Sequence, residues 1–181
     1  MNLLIEAANI YTPAPIKRRG LLDLFASTAA AFGCASPRVA ELPYEEMLRA
    51  YARFAAAQAS QALERGAGLD EIRGQLYGGA CRMGEGLRRA FRITNTAEAL
   101  AAAEVLYRAL GIDLRASPQG ESGVEVTVCR CFFSEYYSGS VCRLIASLDE
   151  GLFAGLLGGG RLGFYRRITE GDGCCRAHFL A

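Results

Sequence analysis

The chain has 181 residues, 51% of them hydrophobic, and a formal net charge of +1. This length and apolar fraction predict a single globular domain, 1–181, built around one substantial core. The charge argues against a nucleic-acid partner, because the only basic run is Lys17–Arg19 and such binders carry clustered positive charge. No stretch approaches about eighteen uncharged apolar residues, and no secretory signal pattern begins the chain, so we expect a cytoplasmic protein without a membrane span.

Helical periodicity dominates the first part of the chain, 1–111. Four segments place their apolar residues at helical spacing and are separated by proline, glycine or polar breaks. They are 16–33, 44–66, 69–91 and 95–111. Asn95 is expected to cap the fourth helix together with Glu98, and Gly66 and Gly111 are expected to end the second and fourth helices.

The third helical segment is unusually rich in glycine. Each glycine inside a helix costs roughly 1 kcal/mol relative to alanine, so a helix keeps five of them only for a reason. We predict that another helix approaches this one closely, with a bound ligand or a broken helix as the alternatives. The five are Gly74, Gly78, Gly79, Gly84 and Gly86.

The second part of the chain, 112–181, changes from helical to alternating spacing. We expect a loop over 112–122 and a strand over 123–133, whose alternation places Cys129 and Cys131 on the same face. The order of helices, strand, helix and strand hairpin predicts an α/β (α+β) domain. In it the N-terminal helices pack on a small, mainly antiparallel sheet, with one helix between strands.

The end of the chain is predicted to be one helix followed by a hairpin. Helical spacing covers 138–160, where Ser138 or Ser140 can cap the first turn. Two alternating segments, 161–168 and 174–181, are joined through the turn residues EGDG, which is a hairpin signal.

Seven cysteines are many for a reducing compartment, and an odd number cannot all pair within one chain. We therefore expect thiolate chemistry, metal ligation or redox sensing before structural disulfides. Cys142 is the leading candidate, because a sulfur in the first turn of a helix is favoured as thiolate and Cys129 and Cys131 precede it on a strand. The alternative is that Cys142 is a small buried hydrophobic residue.

The tail holds the only histidine, so any Cys-His or Ser-His-Asp scheme must use His178. Alternation places Cys174 and His178 on one face of the last strand and Cys175 on the other. We predict a candidate metal site from Cys174, Cys175 and His178, to which other cysteines could add ligands for zinc. The alternative is a histidine that is an ordinary surface or core residue.

The stretch from about Leu106 to Phe179 resembles the L-2-amino-thiazoline-4-carboxylate hydrolase family and the related 4-vinyl-reductase-type ligand-binding domains. The resemblance rests on a strand that closes in a cysteine, a helix that carries VCRL, and a Gly-Asp turn that leads to a cysteine. In that turn, Gly171, Asp172 and Cys175 match a Gly-Asp-x-x-Cys pattern.

This resemblance implies a helix-covered sheet that encloses a small-molecule pocket, and it offers two functions. In the first, the protein hydrolyses a small cyclic C–N substrate of the thiazoline or amidine type, with Cys142, Cys131, Cys129 and His178 as the catalytic residues. In the second, it binds a small molecule, a metal or heme, or senses redox state, without turnover. We favour the hydrolase because no signalling module is attached, and zinc, iron or heme are the cofactors that remain open. The glycine-rich and alanine-rich helices also suggest a homodimer.

Overall fold

The structure, a computed structural model, describes residues 2–119 and 123–180. Five helices come before the first strand, and the last four of them are the four predicted helices. They are α1 (Leu3–Ile10), α2 (Ala14–Ala31), α3 (Tyr44–Arg65), α4 (Leu69–Ala90) and α5 (Thr96–Ala109). In the part of the chain that the structure describes, no helix is both long enough and apolar enough to cross a bilayer.

The predicted helix ends are confirmed. The Asn95 side chain accepts a hydrogen bond from the Glu98 backbone N–H at 3.0 Å, which caps α5. The Glu98 carboxylate in turn accepts from the Thr94 backbone N–H at 2.8 Å, one residue earlier than a reciprocal capping box requires. Gly66, with φ +69°, closes α3, and Gly111, with φ +73°, follows α5. Both glycines adopt the left-handed conformation that other residues avoid.

One glycine of α4, Gly84, allows a second helix to pack directly against its backbone. A Cβ added to Gly84 would lie 2.5 Å from the carbonyl oxygen of Leu152, so no side chain fits there. Gly151 and Gly155 on the opposing helix meet the α4 backbone in the same way. The predicted close approach is confirmed, and the alternative of a broken helix is wrong because α4 is continuous from Leu69 to Ala90.

The sheet has four antiparallel strands in the order β1-β2-β4-β3. They are β1 (Ile112–Gln119), β2 (Gly123–Cys131), β3 (Arg161–Arg166) and β4 (Cys175–Leu180). The predicted α+β class and the β3–β4 hairpin pairing are confirmed. The loop prediction over 112–122 is wrong in its first eight residues, because these form β1 and pair with β2. Pro118 fits there because β1 is an edge strand, where a missing N–H breaks no ladder.

Two helices, not one, connect β2 to β3. They are α6 (Gly139–Ile145) and α7 (Ser147–Leu157), and Ala146 separates them. Ser138 caps α6, as predicted, by accepting a hydrogen bond from the Val141 backbone N–H at 3.3 Å. One hydrophobic cluster joins the helices to the inward-facing side chains of the strands, among them Val126, Ala177 and Phe179.

A β-bulge near the end of β2 changes the direction of its cysteines. Ile112 pairs with Cys131 but Leu114 pairs with Val128, so Cys129 is an extra residue on β2. A bulge of this kind reverses the alternation beyond it. Cys129 is exposed, as the regular alternation of β2 requires, whereas the bulge lets Cys131 pack against the hydrophobic cluster. The prediction that these two cysteines share a face is wrong.

Candidate functional site

Three cysteines and one carboxylate come together where β2 and β4 meet α6 and α7. Cys131 ends β2, Cys142 lies in the first turn of α6, Cys175 begins β4 and Asp149 lies in the first turn of α7. Burial is the main cause that raises the pKa of all three thiols, and the negative charge of Asp149 is a further cause. An effect of this kind requires the charged group to be near. We call these four residues the thiol–carboxylate cluster.

Asp149 is the acid–base group of the cluster. The Tyr107 hydroxyl donates a hydrogen bond to Asp149 Oδ1 at 2.6 Å. Burial raises the pKa of Asp149 to about 6, against a lowering by the Tyr107 hydrogen bond and by the charge of Arg167. A carboxylate with this pKa can take up and return a proton near neutral pH, as a general base or acid must.

The thiols of the cluster are held in their protonated form. Burial raises the pKa of Cys131 to about 12, and burial is also the main cause of the raised pKa of Cys142 and of Cys175. The expected lowering of the Cys142 pKa at the start of α6 is therefore not observed, because loss of water outweighs the helix-end effect. Cys142 lies in the first turn as predicted, but its sulfur is not prepared as a thiolate.

Three buried hydrogen-bond donors near the cluster have no partner among the described residues. They are the Tyr137 hydroxyl, Arg167 Nε and the Thr169 hydroxyl. Thr169 is close enough to Cys142 to lower its pKa, but its hydroxyl makes no hydrogen bond of good geometry to nitrogen or oxygen. A buried donor without a partner is destabilising, so such atoms call for an acceptor from a ligand or water.

The surroundings of these donors place them at the cluster. The charge of Arg167 lowers the pKa of Asp149, Cys142 and Cys175, in each case as a minor cause. Burial raises the pKa of Tyr137, and the charges of the same cluster add to it. Asp149 and the three cysteines are largely buried, although each residue keeps some exposed surface. These groups therefore lie near one another, and we call the region that they surround the recess.

The other predicted site residues lie outside this recess. Cys129 forms a disulfide with Cys174 on the outer face of the sheet. His178 is also on that face: its Nδ1 lies 2.7 Å from Glu125 Oε2, and its side chain is 59% exposed. Of the predicted catalytic residues, only Cys142 and Cys131 belong to the cluster, and the sheet separates His178 from both.

The predicted metal site from Cys174, Cys175 and His178 is not formed. The alternation of β4 was predicted correctly, so Cys174 and His178 face outward and Cys175 faces inward. The sulfur of Cys174 is also bonded to Cys129 in a disulfide, so it does not provide a thiolate ligand for a metal ion. Within residues 2–119 and 123–180, no group of three His, Cys, Asp or Glu side chains is placed to hold a metal ion.

Sequence reasoning missed Asp149, Tyr107, Tyr137 and Arg167. Asp149 carried a usable signal, because it follows Ile145 by four residues and precedes Leu152 by three. That spacing puts a lone carboxylate on the apolar stripe of a predicted helix, where a charged group is rarely buried unless it has a role. The two tyrosines and the arginine carried no comparable signal.

A separate groove lies between α2 and α4, away from the cluster. Its volume is about 660 Å³, and small residues such as Ser27, Ala30 and Gly78 line it. It contains none of the cysteines. Nothing in the groove identifies an occupant, and the homodimer stays a prediction.

Comparison with known proteins adds information about the fold alone. No family model matches the chain, and no curated protein matches it. Among solved structures, it is similar to a trafficking protein particle complex subunit 3 from Naegleria fowleri, covalently bound to palmitic acid. The TM-score is 0.57 at 11% identity, and the match covers 75% of this chain and 95% of that chain. Similarity at this identity supports a common fold and does not transfer a function.

Proposed function

We propose that the thiol–carboxylate cluster binds a small cyclic molecule of the thiazoline or amidine type and hydrolyses its C–N bond, with Asp149 as the base. The observation that carries the proposal is the buried carboxylate of Asp149, whose pKa burial raises to about 6. Enzymes tune carboxyl groups in this direction for proton transfer near neutral pH. The substrate class comes from the sequence resemblance, and the base moves from His178 to Asp149.

The proposed reaction needs only water and groups of this chain. Asp149 takes a proton from water while the water oxygen adds to the amidine carbon. Asp149 returns this proton to the ring nitrogen. It then carries the proton of the new hydroxyl group to the same nitrogen as the ring C–N bond breaks, which leaves a carbonyl group and a free amine. Arg167, Tyr137 and Thr169 donate hydrogen bonds to the acceptor groups of the substrate. Protonated thiols do not compete with water as nucleophiles, so Cys131 and Cys142 act as substrate contacts.

Turnover by purified protein tests this proposal. L-2-amino-thiazoline-4-carboxylate is the first compound to offer, and its loss can be followed by chromatography. We expect Asp149→Asn to lower kcat at least about 100-fold, the usual contribution of a general base. Asp70→Asn is the matched control, because Asp70 lies at the start of α4 with its side chain 98% exposed and pairs only with Arg73. Full turnover by Asp149→Asn would exclude Asp149 as the base.

The second candidate is a binding or redox-sensing domain without turnover. Two observations favour it: a disulfide lies beside the inner thiol Cys175, and the similar solved structure is that of a protein covalently bound to palmitic acid. Elemental analysis, an absorbance spectrum and intact mass measurement on anaerobically purified protein distinguish the two candidates. A bound metal, a chromophore or a thiol-linked acyl group without turnover would support the binding domain. A colourless, unmodified protein that consumes substrate would support the hydrolase.

A further inference from the structure

The outer face of the sheet, opposite the hydrophobic cluster, carries a row of positive charge. Arg115 on β1 pairs with Thr127 on β2, Thr127 pairs with Arg176 on β4, and Arg176 pairs with Arg166 on β3. The three arginines are exposed, and the four residues form one line across all four strands. Because neighbouring strands lie about 4.8 Å apart, this line is about 14 Å long. We call it the arginine row.

Two arginines of the row face each other without a compensating carboxylate. Arg166 and Arg176 are direct cross-strand partners, an arrangement in which like charges destabilise a sheet. Neither takes part in any of the ion pairs found among residues 2–119 and 123–180. Arg115 has only a 3.5 Å contact to Asp113. The sequence therefore places repulsion at a position where a polar or acidic residue would remove it.

The acids of the outer face do not supply the missing negative charge. Glu125, in the next row, accepts a hydrogen bond from the Tyr165 hydroxyl at 2.6 Å and lies 2.7 Å from His178 Nδ1. The rings of Tyr165 and His178 stack at 4.8 Å between centroids, which fixes this group in place. Arg176 lies beside the Tyr165 hydroxyl, but neither Arg176 nor Arg166 forms an ion pair with Glu125. Both guanidinium groups are exposed and can therefore accept an anion from solution.

We propose that the arginine row binds a soluble small molecule that carries a diphosphate-type group. One phosphate lies between the guanidinium groups of Arg166 and Arg176, because planar guanidinium groups bind phosphate oxygens in pairs. The Thr127 hydroxyl donates to the same group, and Arg115 receives the second anionic group. A small ligand fits better than a broad anionic surface, since Glu125 and Asp113 flank the row and would repel such a surface.

This site is independent of the proposed hydrolase, because it lies on the other side of the sheet. Calorimetric titration of the whole protein with pyrophosphate tests it, with inorganic phosphate and sulfate compared at equal ionic strength. We expect pyrophosphate to bind most tightly. Arg166→Gln and Arg176→Gln should each weaken binding about tenfold or more, because each removes charged hydrogen bonds. Arg49→Gln, at an exposed position on α3, makes the same charge change and should alter binding less than about twofold.

Thermal unfolding provides a second readout that does not depend on the strength of the calorimetric signal. Without ligand, Arg166→Gln should melt above the wild type because it removes the repulsion. Pyrophosphate should raise the midpoint of the wild type more than that of Arg166→Gln at the same concentration. Equal binding of sulfate and pyrophosphate, or equal loss in Arg49→Gln, would show an adventitious ion only and overturn the proposal. Absence of binding at about 10 mM pyrophosphate would overturn it too, as would row-dependent binding confined to phosphatidylserine vesicles.

Discussion

Replacing Asp149 by asparagine separates the charge of this residue from its shape. The amide has nearly the same size as the carboxyl group, and its oxygen can still accept the hydrogen bond that Tyr107 donates at 2.6 Å. What the variant loses is the ability to ionise. Any pH-dependent difference between the two proteins therefore reports the titration of Asp149 inside the recess.

The size of this pH-dependent difference in stability follows from the shift in the pKa of Asp149. Burial raises the pKa of Asp149 from 3.8 to about 6. Because each pKa unit corresponds to 1.36 kcal/mol, titration of Asp149 changes the free energy of unfolding by about 3 kcal/mol over its full pH range. Between about pH 4 and pH 6 the folded protein holds a proton that the unfolded chain has lost. The free energy of unfolding contributed by Asp149 therefore falls as pH rises through this window, and the full destabilisation is present above about pH 7.

Urea unfolding of both proteins from pH 4 to pH 8 measures this effect. Other titrating groups are common to the two proteins and cancel in the difference. We expect the stability of Asp149→Asn relative to the wild type to rise by about 2.4 kcal/mol from pH 4 to pH 8, since the first part of the shift lies below pH 4. Wild-type turnover should show an acidic limb with a midpoint near pH 6. A stability difference that does not change with pH would refute the buried carboxylate, and turnover without that limb would refute its role as base.

Four further predictions concern packing and the thiols. Gly84→Ala should lower the unfolding free energy by about 1–3 kcal/mol, because its methyl group meets the α7 backbone, whereas Gly86→Ala has open space and should be neutral or stabilising in the same urea experiment. Thiol titration in denaturant should count five free cysteines before reduction and seven after it. Reducing the Cys129–Cys174 disulfide, which closes a loop of 45 residues, should cost about 4 kcal/mol of stability; an unchanged urea midpoint would contradict this. Cys142→Ser should fold normally and turn over more slowly, with the acidic limb unmoved; a shifted limb would make the thiol part of the titrating group.

Most of the helical architecture was predictable from the sequence, because helix periodicity and caps are local. The spacing of apolar residues predicted α2 to α5, and Asn95 and Gly66 predicted where two of them begin or end. β1 was missed because its evidence is not local: only Ile112 and Leu114 alternate as buried residues before Pro118 interrupts the pattern. The strand is recognisable by its pairing with β2, and pairing partners are not written in either segment alone.

The candidate site depended on two features that alternation cannot predict. Extra residues in a strand leave no mark in composition, so the bulge that turns Cys131 inward was invisible and Cys131 was grouped with Cys129. The helices of the site are interrupted at Ala146, and Asp149 enters the recess from the start of the second one. The predicted thiolate at Cys142 was also wrong, because burial raises the pKa of this thiol despite its position in the first turn of α6.

The bulge also explains how four cysteines on two strands divide between two environments. On β4, simple alternation sends Cys174 outward and Cys175 inward. On β2, Cys129 and Cys131 are two residues apart and would face the same way without the bulge. Cys129 faces outward by the regular alternation of β2 and lies opposite Cys174, with which it forms the disulfide. The bulge turns only Cys131 inward, so that Cys131 and Cys175 are both inner thiols beside Asp149. Because the disulfide joins β2 to β4 immediately beside the residues that carry the inner thiols, it restrains the spacing of the two strands that form one wall of the recess.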